Sequence, residues 1–169
     1  LLYGVTKAMA EKIVLTAYRP DGEPLGVVLR LAAVYGARVK GNYARLLQAI
    51  RKGWFIPIGK GGNRRTLVYD ADVAQAAWLA ATHPDAPGHI YNVTDGQIHT
   101  LSEILTILRD VAGKKPSRLY IPDGPVRLSA HWLTSASRLV GKPVTADALL
   151  AKCLEDVGVA GYKLQQALG

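Results

Sequence analysis

The first seven residues, Leu1–Lys7, read Leu-Leu-Tyr-Gly-Val-Thr-Lys and place Tyr3 four positions before Lys7. An alanine-rich helical pattern follows, and four residues are about one turn of an α-helix, so the phenol and the ammonium group share one face. An ordinary tyrosine has a pKa of about 10, whereas a nearby cation and the positive end of the helix dipole both favour the phenolate. The pair therefore suits proton transfer, although Tyr and Lys at this spacing are also common on solvated helix faces.

The segment after this motif alternates helix and strand patterns. Apolar residues at helical spacing predict a helix over Thr6–Tyr18, and Arg19–Gly22 supplies the turn residues that end it. Leu25–Val34 is a nearly continuous apolar run, which is typical of a parallel strand buried on both faces. A helix followed by a buried strand is half of a βαβ unit, so we predict an α/β sheet.

The rest of the chain continues the alternation of strands and helices. We predict strands over residues 54–58, 66–69 and 88–93, with residues 59–65 as a flexible basic loop between the first two. Asp70 is the predicted N-cap of one helix, and Thr100 opens another with a capping box. The remaining helices are predicted over Asn42–Lys52, Asp123–Leu139, Thr145–Leu154 and Tyr162–Leu168.

Length, composition and charge describe a basic globular protein. The chain has 169 residues, of which 49% are hydrophobic, and its formal net charge is +8 at pH 7. That length is enough for a domain with a real core, and the charge suggests an anionic partner, such as nucleic acid or a nucleotide diphosphate. Because the basic residues are scattered and no nucleic-acid-binding motif is present, we expect no nucleic-acid partner.

The cysteine, histidine and hydropathy patterns narrow the class further. Cys153 is the single cysteine, so no intrachain disulfide can form, and this suits a reducing, cytoplasmic location. The four histidines show no metal-ligand spacing, and we predict no metal site. No apolar run reaches the roughly 18 residues of a membrane span, so we expect no membrane partner.

Three segments resemble one protein family. Tyr3–Glu11 is similar to the active-site helix of the extended short-chain dehydrogenase/reductase superfamily, and the NAD-dependent nucleotide-sugar epimerase/dehydratase branch fits best. Leu29–Gly36 resembles that family's Arg-Pro-x-Asn-Val-Tyr-Gly-Pro segment, with Leu31 in place of the proline and Ala33 in place of an asparagine that contacts substrate in several members. Gly59–Ala76 resembles the family segment Gly-x-Gly-x-x-x-Arg-x-x-x-Tyr-Val-x-Asp-Val-Ala.

The resemblance implies a role for each matching residue. Tyr3 is the expected catalytic acid/base, and Lys7 is expected to bond the nicotinamide ribose and to make the tyrosine more acidic. Both residues are therefore also expected to bind the cofactor, NAD or NADP, and Arg30 and Leu31 are expected on the segment that passes its nicotinamide. The substrate-binding residues implied by the resemblance are Ala33, Asn42 and Arg65, of which the last lies against the nucleotide or its phosphates.

The resemblance covers nearly the whole chain but only about the C-terminal half of the family. It implies that residues 1–36 are the last part of a dinucleotide-binding Rossmann domain and that residues 37–169 are mainly the substrate-binding region, with residues 66–93 partly returning to the Rossmann sheet. The predicted fold class is thus α/β, the C-terminal part of a Rossmann-like parallel sheet plus a small α/β substrate-binding domain. The dinucleotide-binding fingerprint Gly-x-x-Gly-x-x-Gly is missing, so we expect this chain alone to be inactive. A sheet that lacks its first strands also exposes an edge, and we expect this edge to favour a homodimer.

The implied function is that of an NAD- or NADP-dependent epimerase, dehydratase or 4-keto reductase acting on a nucleotide-linked hexose, with a UDP sugar favoured. Hydride would pass between C4 of the sugar and the nicotinamide while Tyr3 moves the hydroxyl proton. A hydroxysteroid or dihydroflavonol-type dehydrogenase of the same superfamily would share Tyr3 and Lys7, but it needs no basic nucleotide site, and Arg65 argues mildly against it. A non-catalytic scaffold or regulatory domain that keeps the fold is the third possibility.

Overall fold

Residues 2–116, 120–122, 124–125 and 156–168 are described by a computed structural model of the chain. Within them, helices and parallel strand pairs confirm the predicted α/β class. The helix predicted over Asp123–Leu139 lies, apart from residues 124–125, outside the described residues. The helix predicted over Thr145–Leu154 lies wholly outside them.

The described helices occur in the predicted order, with the first beginning at Leu2 instead of Thr6, and the strands differ from the predicted ones as given below. The helices are α1 (Leu2–Leu15), α2 (Asn42–Arg51), α3 (Asp70–Thr82), α4 (Leu101–Val111) and α5 (Tyr162–Leu168). The strands are β1 (Val28–Leu31), β2 (Ala33–Tyr35), β3 (Arg64–Arg65), β4 (Leu67–Tyr69), β5 (Ile90–Val93) and β6 (His99–Thr100).

The predicted single strand over Leu25–Val34 is wrong in two respects. It is divided at Ala32 into β1, which runs parallel to β5, and β2, which runs parallel to β4. It is also not buried throughout, because Leu25 and Leu31 are 55% and 46% exposed. Leu25 falls before the first ladder, and Leu31 lies where the chain changes partner, so neither side chain is covered on both faces of a sheet.

The chain divides into two compact units, and the first contains both parallel pairs. It comprises Leu1–Val39, Thr66–Gln97 and Val159–Gly169. Its core holds two small clusters of buried side chains: Val68 and Val93 pack with Ala76 of α3, and Tyr91 packs with Ala86 and Leu168 of α5. The last helix of the chain is therefore part of the same unit as the first strands.

The second unit comprises Lys40–Arg65 and Ile98–Gly158. In its described part α2 packs against α4, and β3 pairs antiparallel with β6. The strand predicted over residues 54–58 is wrong, since only Ile58 makes an isolated parallel bridge, to Ile121. Pro57 has no N–H for a ladder, although its carbonyl accepts a hydrogen bond from the Ile121 N–H at 2.9 Å.

The two predicted helix caps have opposite outcomes. The capping box of α4 is confirmed, because the Thr100 hydroxyl accepts from the Glu103 N–H at 3.2 Å and the Glu103 carboxylate accepts from the Thr100 N–H at 2.8 Å. Asp70 is not the N-cap of α3, since Tyr69 occupies that position and no side chain caps the helix. The Asp70 carboxylate lies instead where a Cβ on Gly36 would be, so Gly36 makes room for it.

The loop before β3 depends on a glycine in the left-handed region. Gly61 is buried with φ +68°, and a Cβ there would lie 3.0 Å from the backbone nitrogen of Ser102. The Gly61 carbonyl accepts a hydrogen bond from the same Ser102 N–H at 2.9 Å, which ties the loop to the first turn of α4. The loop predicted to be flexible is thus fixed at this point and ends in β3.

We predict that Gly61→Ala lowers the free energy of unfolding by about 2 kcal/mol, because a Cβ is strained at positive φ and has no room beside Ser102. Gly62→Ala is the matched control, since a Cβ at Gly62 meets open space, and we expect a change within about 0.5 kcal/mol. Urea unfolding followed by circular dichroism measures both. Equal effects of the two substitutions would contradict this account of the loop.

Candidate active-site and nucleotide-binding residues

Tyr3 and Lys7 lie together on the first two turns of α1. The Lys7 Nζ is 5.7 Å from the centroid of the Tyr3 ring, within the range of a cation–π contact. Tyr3 is 75% exposed, so its hydroxyl is open to a ligand. The Thr6 hydroxyl donates to the Tyr3 carbonyl at 2.9 Å and satisfies a backbone acceptor in this turn. The helical spacing predicted from the sequence thus places the two groups side by side.

The helix α1 has two different faces. At about 100° per residue, Tyr3, Lys7 and Glu11 fall within an arc of about 80°. The opposite face is apolar and exposed, and no residue of α1 is buried. Its exposed apolar side chains are Leu2, Val5, Met9 and Ile13.

A bidentate ion pair connects the polar face of α1 to β1. The Arg30 Nε donates to Glu11 Oε1 at 2.9 Å, and Nη2 donates to Oε2 at 2.5 Å. The hydrogen bond from Arg30, and then its charge, hold the pKa of Glu11 below its ordinary value. The same contacts raise the pKa of Arg30. Glu11 was not among the residues predicted for the site, although a carboxylate four positions after Lys7 was the available signal.

The other two residues predicted for the site in the first unit, Leu31 and Ala33, lie where β1 ends and β2 begins. Leu31 is the last residue of β1, and Ala33 is the first residue of β2 and is exposed. At the carboxyl ends of the parallel strands β2 and β4, the rings of Tyr35 and Tyr69 are 5.5 Å apart between centroids. Burial raises the pKa of Tyr35, and the nearby carboxylate of Asp95 raises it further, so this phenol stays neutral at physiological pH.

The second unit brings the start of α2 close to β3. Asn42 is the first residue of α2 and is exposed. The N-cap residue before it is Gly41, so no side chain caps this end of the helix. Burial raises the pKa of Tyr43, while the positive charge of Arg65 opposes that rise. Arg65, predicted to bind the nucleotide, therefore lies within electrostatic range of the residue after Asn42. Tyr43 is an addition that the sequence motifs did not indicate.

This part of the second unit is strongly basic. Between residues 40 and 65 there is no Asp or Glu, and the basic residues are Lys40, Arg45, Arg51, Lys52, Lys60, Arg64 and Arg65. In the described structure the carboxylate of Asp156 accepts a hydrogen bond from the backbone N–H of Arg64 at 2.6 Å. An unbroken run of one charge sign favours an anionic ligand over a neutral one.

The described residues show neither a metal-binding cluster nor a membrane-spanning helix. No group of three or more His, Cys, Asp or Glu side chains within the described ranges could hold a metal ion. No helix among them is both long and apolar enough to cross a membrane. The predictions of no metal and no membrane partner stay predictions for the whole protein.

The sequence profile of the NAD dependent epimerase/dehydratase family matches residues 2–94, which is more than half of the chain. The matched range includes the Tyr3–Lys7 helix, both parallel strand pairs and the segment that carries Arg65. The chain belongs to the NAD dependent epimerase/dehydratase family, and the resemblance seen in the sequence is confirmed.

Individual relatives agree with this family. The chain is 29% identical over 171 residues to the UDP-glucose 4-epimerase of Vibrio cholerae, which covers 98% of this chain and 50% of that protein. A solved structure of MoeE5 in complex with UDP-glucose and NAD is 29% identical, with a TM-score of 0.57 over 71% of this chain and 41% of that one. The crystal structure of gox2253 shares the fold over the whole chain, with a TM-score of 0.72 at 22% identity and 51% coverage of its own chain. The chain thus spans about half the length of the V. cholerae relative.

Proposed function

We propose that this chain is part of an NAD- or NADP-dependent epimerase, dehydratase or 4-keto reductase that acts on a UDP-linked hexose. The observation that carries the proposal is the Tyr3–Lys7 pair, which shares one exposed helix face in a member of this family. UDP-glucose in the MoeE5 complex, and the name of the V. cholerae relative, support the choice of a UDP sugar.

In this proposal Tyr3 and Lys7 are the catalytic residues. The Tyr3 hydroxyl moves the proton of the sugar C4 hydroxyl, and the Lys7 ammonium stabilises the phenolate form electrostatically. Three N–H donors and an exposed position also suit Lys7 to hydrogen bond the hydroxyl groups of a ribose. The bound dinucleotide would supply the hydride chemistry. Arg30 and Leu31 of β1 are proposed on the cofactor side, where MoeE5, as a relative in complex with NAD, supports the choice of cofactor.

The second unit is proposed to hold the nucleotide end of the substrate. Arg65 can bond a phosphate through two parallel N–H groups or stack on a base, and the basic run of residues 40–65 supplies a favourable field. Asn42 offers a side-chain amide at the start of α2. It is close to Arg65 in space, because the next residue, Tyr43, lies within electrostatic range of that arginine. Ala33 is proposed to line the sugar side, and its small side chain leaves the choice of hexose to other residues.

We also propose a division of labour along the chain. Residues 1–36 and part of residues 66–93 belong to a dinucleotide-binding domain, and residues 37–169 belong mainly to a substrate-binding region. Because the sequence contains no Gly-x-x-Gly-x-x-Gly fingerprint, this chain alone is proposed to be inactive in hydride transfer. A cytoplasmic location stays a prediction from the single cysteine.

Tyr3→Phe, made in an enzyme that joins this chain to a dinucleotide-binding half, should lower kcat at least about a hundredfold, because general acid–base catalysis typically contributes that much. Cofactor binding should persist, since the ring and Lys7 remain. Tyr18→Phe is the control, because Tyr18 is an exposed tyrosine beyond the end of α1. Turnover with UDP-hexoses measures the effect, and near-normal turnover of the Tyr3 variant would refute the assigned role.

Arg65→Gln should raise the Kd of the chain for UDP about tenfold, since a charge-assisted hydrogen bond to phosphate is lost. Arg64→Gln is the matched control, because it removes the same charge from the neighbouring, more exposed residue, and we expect a change within about twofold. Isothermal titration calorimetry measures both. An equal loss of UDP affinity in both variants would show that the two arginines attract UDP only through their charge, and would contradict a specific contact of Arg65. Binding of a steroid without binding of UDP would favour the dehydrogenase alternative.

The exposed apolar face of α1 supports the proposal of a homodimer, because contiguous apolar surface of this kind marks association sites. Met9→Glu places a charge in the middle of that face and should weaken association, whereas Lys12→Glu changes charge outside it. Sedimentation velocity at increasing concentration measures the oligomeric state. A clean monomer of the unmodified chain at high concentration would end this proposal.

A further inference from the structure

The helix α1 is held to the first unit near its C-terminal end. Gly26 approaches the last turn so closely that a Cβ would collide with the Val14 carbonyl oxygen. Beyond the helix, the Leu25 N–H donates to the Ala17 carbonyl at 3.0 Å. These contacts fix the end of α1 that is farthest from Tyr3, and no residue of the helix is buried. Contacts at one end alone do not fix the direction of the axis of α1.

The direction of α1 matters because Tyr3 and Lys7 lie near its N-terminal end, far from these contacts. From Val14 to Tyr3 the helix rises about 16 Å, so a tilt of about 10° moves Tyr3 by about 3 Å. Displacements of about 1 Å at reacting groups can lower rates about a hundredfold. A second anchor between the two ends would fix the direction, and Glu11 is the residue of α1 that is bonded to β1, through Arg30.

The Glu11–Arg30 pair is suited to direction more than to stability. Its side chains are 23% and 53% exposed, and exposed ion pairs contribute little to the free energy of folding. A planar guanidinium that bonds both oxygens of a carboxylate, however, fixes their relative orientation. Glu11 projects from the same face as Lys7, so fixing Glu11 also fixes the side of the helix that is turned towards β1.

The pair has a second consequence for Lys7. Residues four apart on a helix are neighbours, so a carboxylate at Glu11 can attract the Lys7 ammonium away from Tyr3. Arg30 occupies both Glu11 oxygens and neutralises the charge locally. Lys7 in turn lies over the ring of Tyr3.

We propose that Glu11 and Arg30 are positioning residues for the Tyr3–Lys7 pair. Their bidentate contact sets the direction of α1, and Arg30 keeps the Glu11 carboxylate from competing for Lys7. The proposal rests on the proposed function of Tyr3 and Lys7, and it adds to the place proposed for Arg30 on the cofactor side a role that acts through Glu11.

Three single variants of the 169-residue chain, together with the double variant Glu11→Gln/Arg30→Gln, separate the two effects. Glu11→Gln removes the ion pair together with the carboxylate that can compete for Lys7. Arg30→Gln removes the ion pair but leaves that carboxylate free. Arg30→Lys keeps a positive charge at position 30 but cannot bond both carboxylate oxygens through a planar guanidinium. Arg19→Gln is the control, because Arg19 is an exposed arginine in the turn after α1. None of these experiments needs enzymatic activity, so their outcome is independent of the identity of the substrate.

Hydrogen exchange measures the direction effect. All three pair variants should speed amide exchange in residues 2–10 about threefold, as expected for loss of one well-formed exposed pair, while residues 70–82 of α3 stay unchanged. The Arg19 control should match the unmodified chain. Unchanged exchange in residues 2–10 of the three variants would overturn the anchoring role.

The chemical reactivity of Lys7 measures the charge effect, which a purely structural role would not alter. With trace acetic anhydride, and Lys12 as the internal reference, Lys7 should react about twofold more slowly in Arg30→Gln, because a freed carboxylate favours the protonated amine. In Glu11→Gln and in the double variant Glu11→Gln/Arg30→Gln the rate should return to that of the unmodified chain. Equal rates in Arg30→Gln and the double variant would overturn the second part of the proposal.

Discussion

The change of strand partner at Ala32 is the constraint on which the first unit depends. The Ala32 N–H donates to Val93 of β5, and the Ala33 N–H donates to Thr66, the residue before β4. One extended segment is thereby tied to two parallel neighbours, whose inward side chains, among them Val68, form the core with α3. Parallel pairing also brings the carboxyl ends of β2 and β4 to one edge, which is where α/β sheets usually bind ligands.

In contrast to this core, α1, the helix that carries Tyr3 and Lys7, contributes no buried residue. Its apolar and polar faces point in opposite directions. Such a helix owes little to core packing and must be oriented by a few specific contacts. Gly26 supplies one by lacking a side chain, and the Arg30 guanidinium supplies another by bonding both oxygens of Glu11. These contacts of α1 therefore come from the strand side of the unit.

The predictable part of the site is the part that depends on local spacing. Tyr3 and Lys7 could be placed together because a helix brings residues four apart onto one face, whatever the rest of the chain does. The capping box of Thr100 was predictable for the same reason. The N-cap assigned to Asp70 was wrong, since Tyr69 occupies that position and the Asp70 carboxylate lies against Gly36, a residue more than thirty positions earlier. The ion pair of Glu11 was likewise missed, because its partner is nineteen positions away.

By itself, the sequence determined the α/β class, the family and the Tyr3–Lys7 pair, since these follow from apolar periodicity and from motifs a few residues long. Only the tertiary structure decided which strands pair, where the run from Leu25 changes partner, and which side chains stay exposed. It alone placed Arg65 near Tyr43. These features depend on contacts between segments far apart in the chain, where the free energy of packing and charge pairing outweighs local preference.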